Sequence, residues 1–366
     1  MTCSIATDLA WESFCNNNYQ NIGVDNVETG KQNAEIKVIP KPSDIYISTQ
    51  TKIAYFNQEI NLSDLFWKVP IIPFQTKGNG IIKKQMKINC HTTEEVSALD
   101  AKIEKGEMIQ VDIISQINNP NARKVKFKDV RKVNIGLCNK DLLCLRKKKK
   151  GAMMNCIVFI ARLKYREIFK EVHIKVFNTG KLEIPGIQDD MFMIDALDQL
   201  VLELQPYITS KLSYAEENIS TVLINSNFTA NYYINRNALY NLLKYKYKLN
   251  TCYDPCSYPG VRSKFYYNEI HPEKNGVCLC KNRCNKKGNG KELNSCLEVS
   301  FMIFRTGSVL IVGNCNKSIL NIIYEFVVKI LHDEYKQISI GQATPKKTKK
   351  KKKKRKKTIL VTNTTI

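Results

Sequence analysis

The sequence predicts an α+β fold assembled from two pseudo-symmetric halves, and three observations lead there. The first is a repeated segment. Val176-Phe177-Asn178-Thr179-Gly180-Lys181-Leu182-Glu183-Ile184-Pro185-Gly186 and Ile303-Phe304-Arg305-Thr306-Gly307-Ser308-Val309-Leu310-Ile311-Val312-Gly313 share Phe, Thr-Gly and a second Gly at a constant offset of 127 residues. Each reads as strand, tight turn, strand. The second is an amphipathic helix after each hairpin: Met193, Leu197, Leu200 and Leu204 in one half, Ile319, Ile323, Phe326 and Ile330 in the other. The third is a matching opening. Ile45–Thr49 and Val222–Ser226 read as strands, each followed by a short helix and then by a strand entered through Gly80 or Gly260.

Residues 1–40 are rich in Asn, Gln, Asp and Glu with weak periodicity, and read as a mobile arm with one short helix near Leu9–Phe14. Residues 41–210 form the first repeat. Its opening strand leads to a short helix near Leu62–Trp67, then to Gly80-Ile81-Ile82-Lys83-Lys84, and a long insertion spans about 90–155. Asp189 and Asp190 mark the start of its long helix, where the helix dipole favours acids. Residues 211–340 form the second repeat. Its short helix falls near Ala238–Leu243, its entry strand is Gly260-Val261-Arg262-Ser263-Lys264, and a Cys-rich insertion occupies about 269–296. Residues 341–366 are a disordered, Lys-rich tail, because like charges at that density repel.

Of 366 residues, 57 are Lys or Arg and 34 are Asp or Glu, a net charge of +23. The tail holds 11 of the positive charges and no acid, so the remaining body is still +12. A basic body favours a polyanionic partner, with nucleic acid ahead of an acidic membrane surface. The 43% hydrophobic content suffices for a globular core. No apolar run approaches a membrane span, and the N-terminus lacks the pattern of a secretory signal. Thirteen cysteines without that signal read as reduced thiols or metal ligands, so sequons such as Asn227-Phe-Thr229 carry no glycosylation meaning in a chain that is not secreted. The four histidines form no metalloprotease pair, and no phosphate-binding loop or nucleophile elbow occurs. The expectation is a protein that is not an enzyme and takes no small-molecule substrate.

The segment Tyr253-Asp254-Pro255-Cys256-Ser257-Tyr258-Pro259-Gly260-Val261 resembles the Tyr-Glu-Pro-x-x-Phe-Pro-Gly-Leu entry of the TATA-box-binding protein family, in the divergent form found in large DNA viruses. The two Phe-x-Thr-Gly hairpins are similar to that family's Ile-Phe-x-Ser-Gly hairpin, and the match runs from about Ser43 to Leu331 outside the two insertions. The resemblance implies a saddle: one curved antiparallel sheet with helices on the convex face and double-stranded DNA bent against the concave face through its minor groove. It further implies a transcription initiation factor that recruits RNA polymerase or general transcription factors, in the nucleus or in a viral factory.

Carried onto this chain, the aromatic wedges of the family fall on Phe177, Tyr258 and Phe304. Aligning Gly80 with Gly260 puts the fourth at Gly78; aligning Cys156–Arg162 with the family strand puts it near Cys156. The phosphate-facing cations fall on Lys264, with Lys84 as its copy, and on Lys181, with Arg262 and Arg305 beside the second-repeat wedges. The central Asn of each repeat falls on Ile45 and Val222, and a groove-contacting Thr falls on Pro185 and Val312. Those losses move the expected readout toward DNA shape and deformability. They also keep a rival reading in play, an architectural or genome-packaging protein that bends DNA without sequence preference.

The Cys-rich insertion carries Cys278-x-Cys280-x3-Cys284-x11-Cys296 after His271. Four thiolates at loop spacing can close a tetrahedral site around one structural zinc, and a Gly-rich loop without its own core gains most from such an ion. Cys252 and Cys256 are alternative ligands, and unligated thiols are the bland alternative. The Lys147–Lys150 run reads as a solvated loop or else a phosphate contact.

Overall fold

The computed structural model describes residues 38–143 and 153–342. The N-terminal arm to residue 37, the Lys147–Lys150 run and the Lys-rich tail lie outside them. Twelve strands form one antiparallel sheet. The first half supplies β1 (Tyr46–Tyr55), β2 (Gly80–Cys90), β3 (Ile109–Asn118), β4 (Phe127–Gly136), β5 (Cys156–Tyr165), β6 (Ile168–Phe177) and β7 (Lys181–Ile187). The second supplies β8 (Ser220–Thr229), β10 (Asn250–Asp254), β11 (Tyr258–Tyr267), β12 (Leu297–Ile303) and β13 (Ser308–Gly313). Strands β9 (Tyr232–Ile234) and β14 (Ser339–Gln342) form a separate small pair.

The halves meet where β1 lies antiparallel to β8. Outward from β1 run β7, β6, β5 and β2; outward from β8 run β13, β12, β11 and β10. These five-strand sets match one another, as a pseudo-two-fold repeat requires. The first half then adds β4 and β3 at its edge. The hairpin turns of the repeat are the β6–β7 and β12–β13 connections. Gly180 (φ +76°) and Gly307 (φ +78°) sit left-handed there, and a Cβ on either would fall 2.4 or 2.3 Å from a backbone carbonyl of Gln58 or Tyr232.

The helices are α1 (Leu62–Lys68), α2 (Thr93–Glu104), α3 (Asn139–Leu143), α4 (Asp190–Leu204), α5 (Arg236–Asn241), α6 (Lys317–Asp333) and α7 (Tyr335–Ile338). Side-chain oxygens of Asn61, Thr92, Asp189, Asn235 and Asn316 cap α1, α2, α4, α5 and α6, satisfying amides that no helical carbonyl reaches. Asp189 is thus a cap, and it also accepts from the Tyr165 hydroxyl at 2.5 Å. That hydrogen bond, with the α4 backbone amides and Arg166, holds its carboxyl below the ordinary range.

Alternate strand residues pack on the helices. Ile157, Phe159, Ile174 and Val176 join Phe66 of α1 and Leu197, Leu200 and Leu204 of α4 in one core. Phe265, Phe301 and Ile311 join Leu239 of α5 and Ile323, Val327 and Ile330 of α6 in the other. The buried stripe of α6 is Leu320, Ile323, Val327, Ile330 and Leu331, with Ile319 and Phe326 at its margin.

The 90–155 insertion contains α2, β3, β4 and α3 within the described residues. One expectation changes: Gly80 and Gly260 are not counterparts. Gly260 lies on β11, flanked by β10 and β12, so its first-half equivalent is β5, flanked by β2 and β6. Gly80 opens β2, the equivalent of β10.

Candidate nucleic-acid interface and metal centre

The strand residues that do not face the helices line the opposite, open face. On β11 these are Tyr258, Arg262 and Lys264, and on β12 Ser300 and Met302. Phe304 follows in the turn. The rings of Tyr258 and Phe304 lie 5.9 Å apart at 58°, both half-buried, with the Arg262 guanidinium 5.4 Å from the Tyr258 centroid. Gly260 permits this pair, since a Cβ there would sit 3.0 Å from each ring. Arg305 is exposed at the tip of the same turn. Lys264 is half-exposed and bound to Glu298 at 2.9 Å, which raises its pKa and makes it a partnered cation.

The first half repeats the backbone arrangement with different side chains. Phe177 is half-buried, with Lys181 Nζ 5.9 Å from its ring, and faces Cys156 across the β5–β6 ladder. In the second half the Val261–Ile303 ladder, continued by one residue, brings Gly260 opposite Phe304. Cys156 therefore corresponds to Gly260, and Met154 to Tyr258. Met154 is 44% exposed. Met154, and not Gly78, therefore occupies the first-half position that Tyr258 occupies in the second. The sequence hid this correspondence because a methionine does not look like a tyrosine.

Lys84 is a correction. It is buried, donates to the Val69 carbonyl and lies 5.4 Å from the Phe66 ring, on the helix side of β2. Burial lowers its pKa to about 8. It faces no phosphate. The position corresponding to Lys264 is the buried Ile160.

The centre of the open face also differs from expectation. Ile45 packs into the second core, and Val222 falls at a break in the β1–β8 register. The polar side chains at the seam are Asn225 and Asn227 instead. Asn227 Nδ2 donates to Ser48 Oγ at 2.5 Å, and Asn225 Oδ1 is buried without a partner among the described residues. The Asn-x-Asn spacing on a strand was the available signal. Pro185 and Val312 do line this face, opposite Thr51 and Asn225.

The far end of the first half is covered. Ile82, Ile160 and Cys138 cluster with Ile72 and Phe74. Arg162 Nη1 donates to the Phe74 and Thr76 carbonyls at 2.8 and 2.9 Å, and Lys83 pairs with Asp141 at 2.7 Å.

The Cys-rich loop joins β11 to β12. It brings Sγ of Cys278, Cys280, Cys284 and Cys296 within 4.8 Å of one another, close enough to hold one metal ion. Cys280 and Cys296 are 3.5 Å apart, and Cys278 and Cys296 3.7 Å. A tetrahedron with metal–sulfur bonds of ~2.3 Å has edges of about 3.8 Å, so the thiol set fits such a site. The Cys296 amide donates to Cys284 Sγ at 3.5 Å, and His271 Nε2 lies 3.8 Å from Cys280 Sγ. Cys252 and Cys256 are exposed and outside the group.

A sequence relative supports the resemblance. The chain is 24% identical over 323 residues, covering 83% of it and 78% of the relative, to a protein named "TATA-box-binding protein-like" from Acanthamoeba polyphaga mimivirus. Among solved structures it matches Methanococcus jannaschii TBP at 12% identity with a TM-score of 0.39, covering 80% of this chain and 99% of that one. No protein-family model matches.

Proposed function

We propose that this chain is a TATA-binding-protein-like transcription initiation factor that binds promoter DNA through the minor groove, bends it and recruits RNA polymerase or general transcription factors. The observation that carries this reading is a pair of large, partly exposed side chains at the same place in each half, Tyr258–Phe304 and Met154–Phe177, on the face free of the large helices. Such side chains can enter a base step and unstack it, while Lys181, Arg262 and Arg305 neutralise phosphates. In this reading the open face is the concave one, laid against the duplex. The role is non-enzymatic, and its setting is the nucleus or a viral factory. Among the described residues no helix is long and apolar enough to cross a membrane. The four-thiol loop holds one structural zinc, which stiffens the β11–β12 connection when bound.

Pro185 and Val312 on the open face favour a second reading, DNA bending without sequence preference. Asn225 and Asn227 favour base contact. Selection from randomised duplexes separates the two: an enriched motif supports the initiation factor, and its absence supports the architectural role.

Bending itself is tested by fluorescence transfer between the ends of a short duplex. Phe177→Ala with Phe304→Ala should reduce the bend and weaken binding by roughly 30-fold or more, taking at least ~1 kcal/mol for each of the two stacked rings. Met154→Phe should preserve the bend. An unchanged bend in a double mutant that stays folded by circular dichroism rejects the wedge assignment.

A further inference from the structure

We propose that the β3–β4 hairpin is a second DNA contact, gripping the phosphates of the duplex that runs on beyond the first-half wedge pair; this rests on the DNA-binding reading above. Strand order supplies the placement. From Phe177 on β6 the sheet continues outward through β5 and β2 to β4. Met86 lies opposite Ile157, so the next residue, Lys87, falls opposite Cys156, itself opposite Phe177. The wedge end of β6 is therefore level with the C-terminal end of β2. The β3–β4 ladder passes that end: Cys90 faces Asp129, but Ile117 and Asn118 still pair with Lys128 and Phe127. The hairpin tip thus projects beyond β2 at the strand ends where Phe177 and Met154 sit.

Its charge fits one partner. Residues 117–128 contain Arg123, Lys124, Lys126 and Lys128 and no acid. Arg123, Lys124 and Lys126 are exposed. The next acid, Asp129, is fully buried and held by Arg131 at 2.9 Å. Three strand spacings of ~4.8 Å separate β6 from β4, about 14 Å, or roughly four base pairs of duplex. The second half has no matching hairpin, since its sheet ends at β10, where Asp254 faces Tyr258. The contact is one-sided.

The test uses the full chain with Arg123→Ser, Lys124→Ser and Lys126→Ser combined, at exposed positions outside the ladder. Hydroxyl-radical footprinting on a long duplex should show protection lost about four base pairs outside one kink only. The slope of log affinity against log salt should fall by roughly two to three units, at ~0.9 per phosphate contact. The bend should stay as in the wild type. Unchanged protection and slope with a normal bend overturn the hairpin contact alone, as does an equal loss on both flanks. A wild-type chain that neither binds nor bends DNA overturns the reading beneath it.

Discussion

Lys84 shows how a single amine carries a stability term that contacts alone do not reveal. Burial lowers its pKa from 10.5 to about 8. Below pH 8 the folded protein holds a desolvated charge that the unfolded chain hydrates freely, which is a cost. Between pH 8 and 10.5 the unfolded state binds more protons, so stability rises with pH across that window, by up to about 3 kcal/mol. Lys84→Met should remove this rise and stabilise the protein at pH 7 by about 1–2 kcal/mol, because the Val69 carbonyl loses its donor at a cost of ~1 kcal/mol. Urea midpoints at pH 7 and pH 10 check both effects; a destabilised variant with an unchanged pH profile contradicts them. In the sequence Lys84 looked like a copy of Lys264 because both follow a strand-opening glycine by four residues. Nothing local told that one lysine faces a helix and the other the open face.

The Cys-rich loop makes a sharper expectation. Protein purified without chelator should contain about one zinc per chain, and Cys280→Ser with Cys284→Ser should abolish it, both read by metal analysis. Less than half an equivalent in the wild type, or full retention in the double mutant, rejects the site. This loop was readable from spacing, because four thiols in a Gly-rich stretch have few other ways to be accommodated. The hairpins and long helices were readable for equally local reasons: Thr-Gly turns need a left-handed residue, and apolar residues at helical spacing need a core. The strand correspondence was not. Topology decides that Gly260 matches Cys156, and the intervening insertion of α2, β3 and β4 hid the true partner behind a look-alike at Gly80. Asn225 and Asn227 were overlooked because the register breaks between β1 and β8 shift which residues reach the open face.

Taken as one body, the protein combines a folded basic sheet with a tail of 11 positive charges within residues 346–357. Truncation after Gln342 should weaken binding to unrelated duplexes by a similar factor and lower the salt slope by several units, at ~0.9 per contact, since lysines neutralise phosphates without reading base edges. Affinity measured over a salt series on several duplexes checks this; a loss confined to one preferred sequence argues against it. The composition favours a polyanionic partner, and the packed sheet supplies the face on which the proposed contact would be made. The sheet also bears on direction in the proposed complex. A two-fold object laid on a nearly two-fold helix has two equivalent ways to sit. Here one half has seven strands and a covered far end, while the other has five strands and a cysteine loop. The two ends are chemically different, so the proposed complex would have a front and a back, and whatever joined it next would meet a signpost instead of a mirror image.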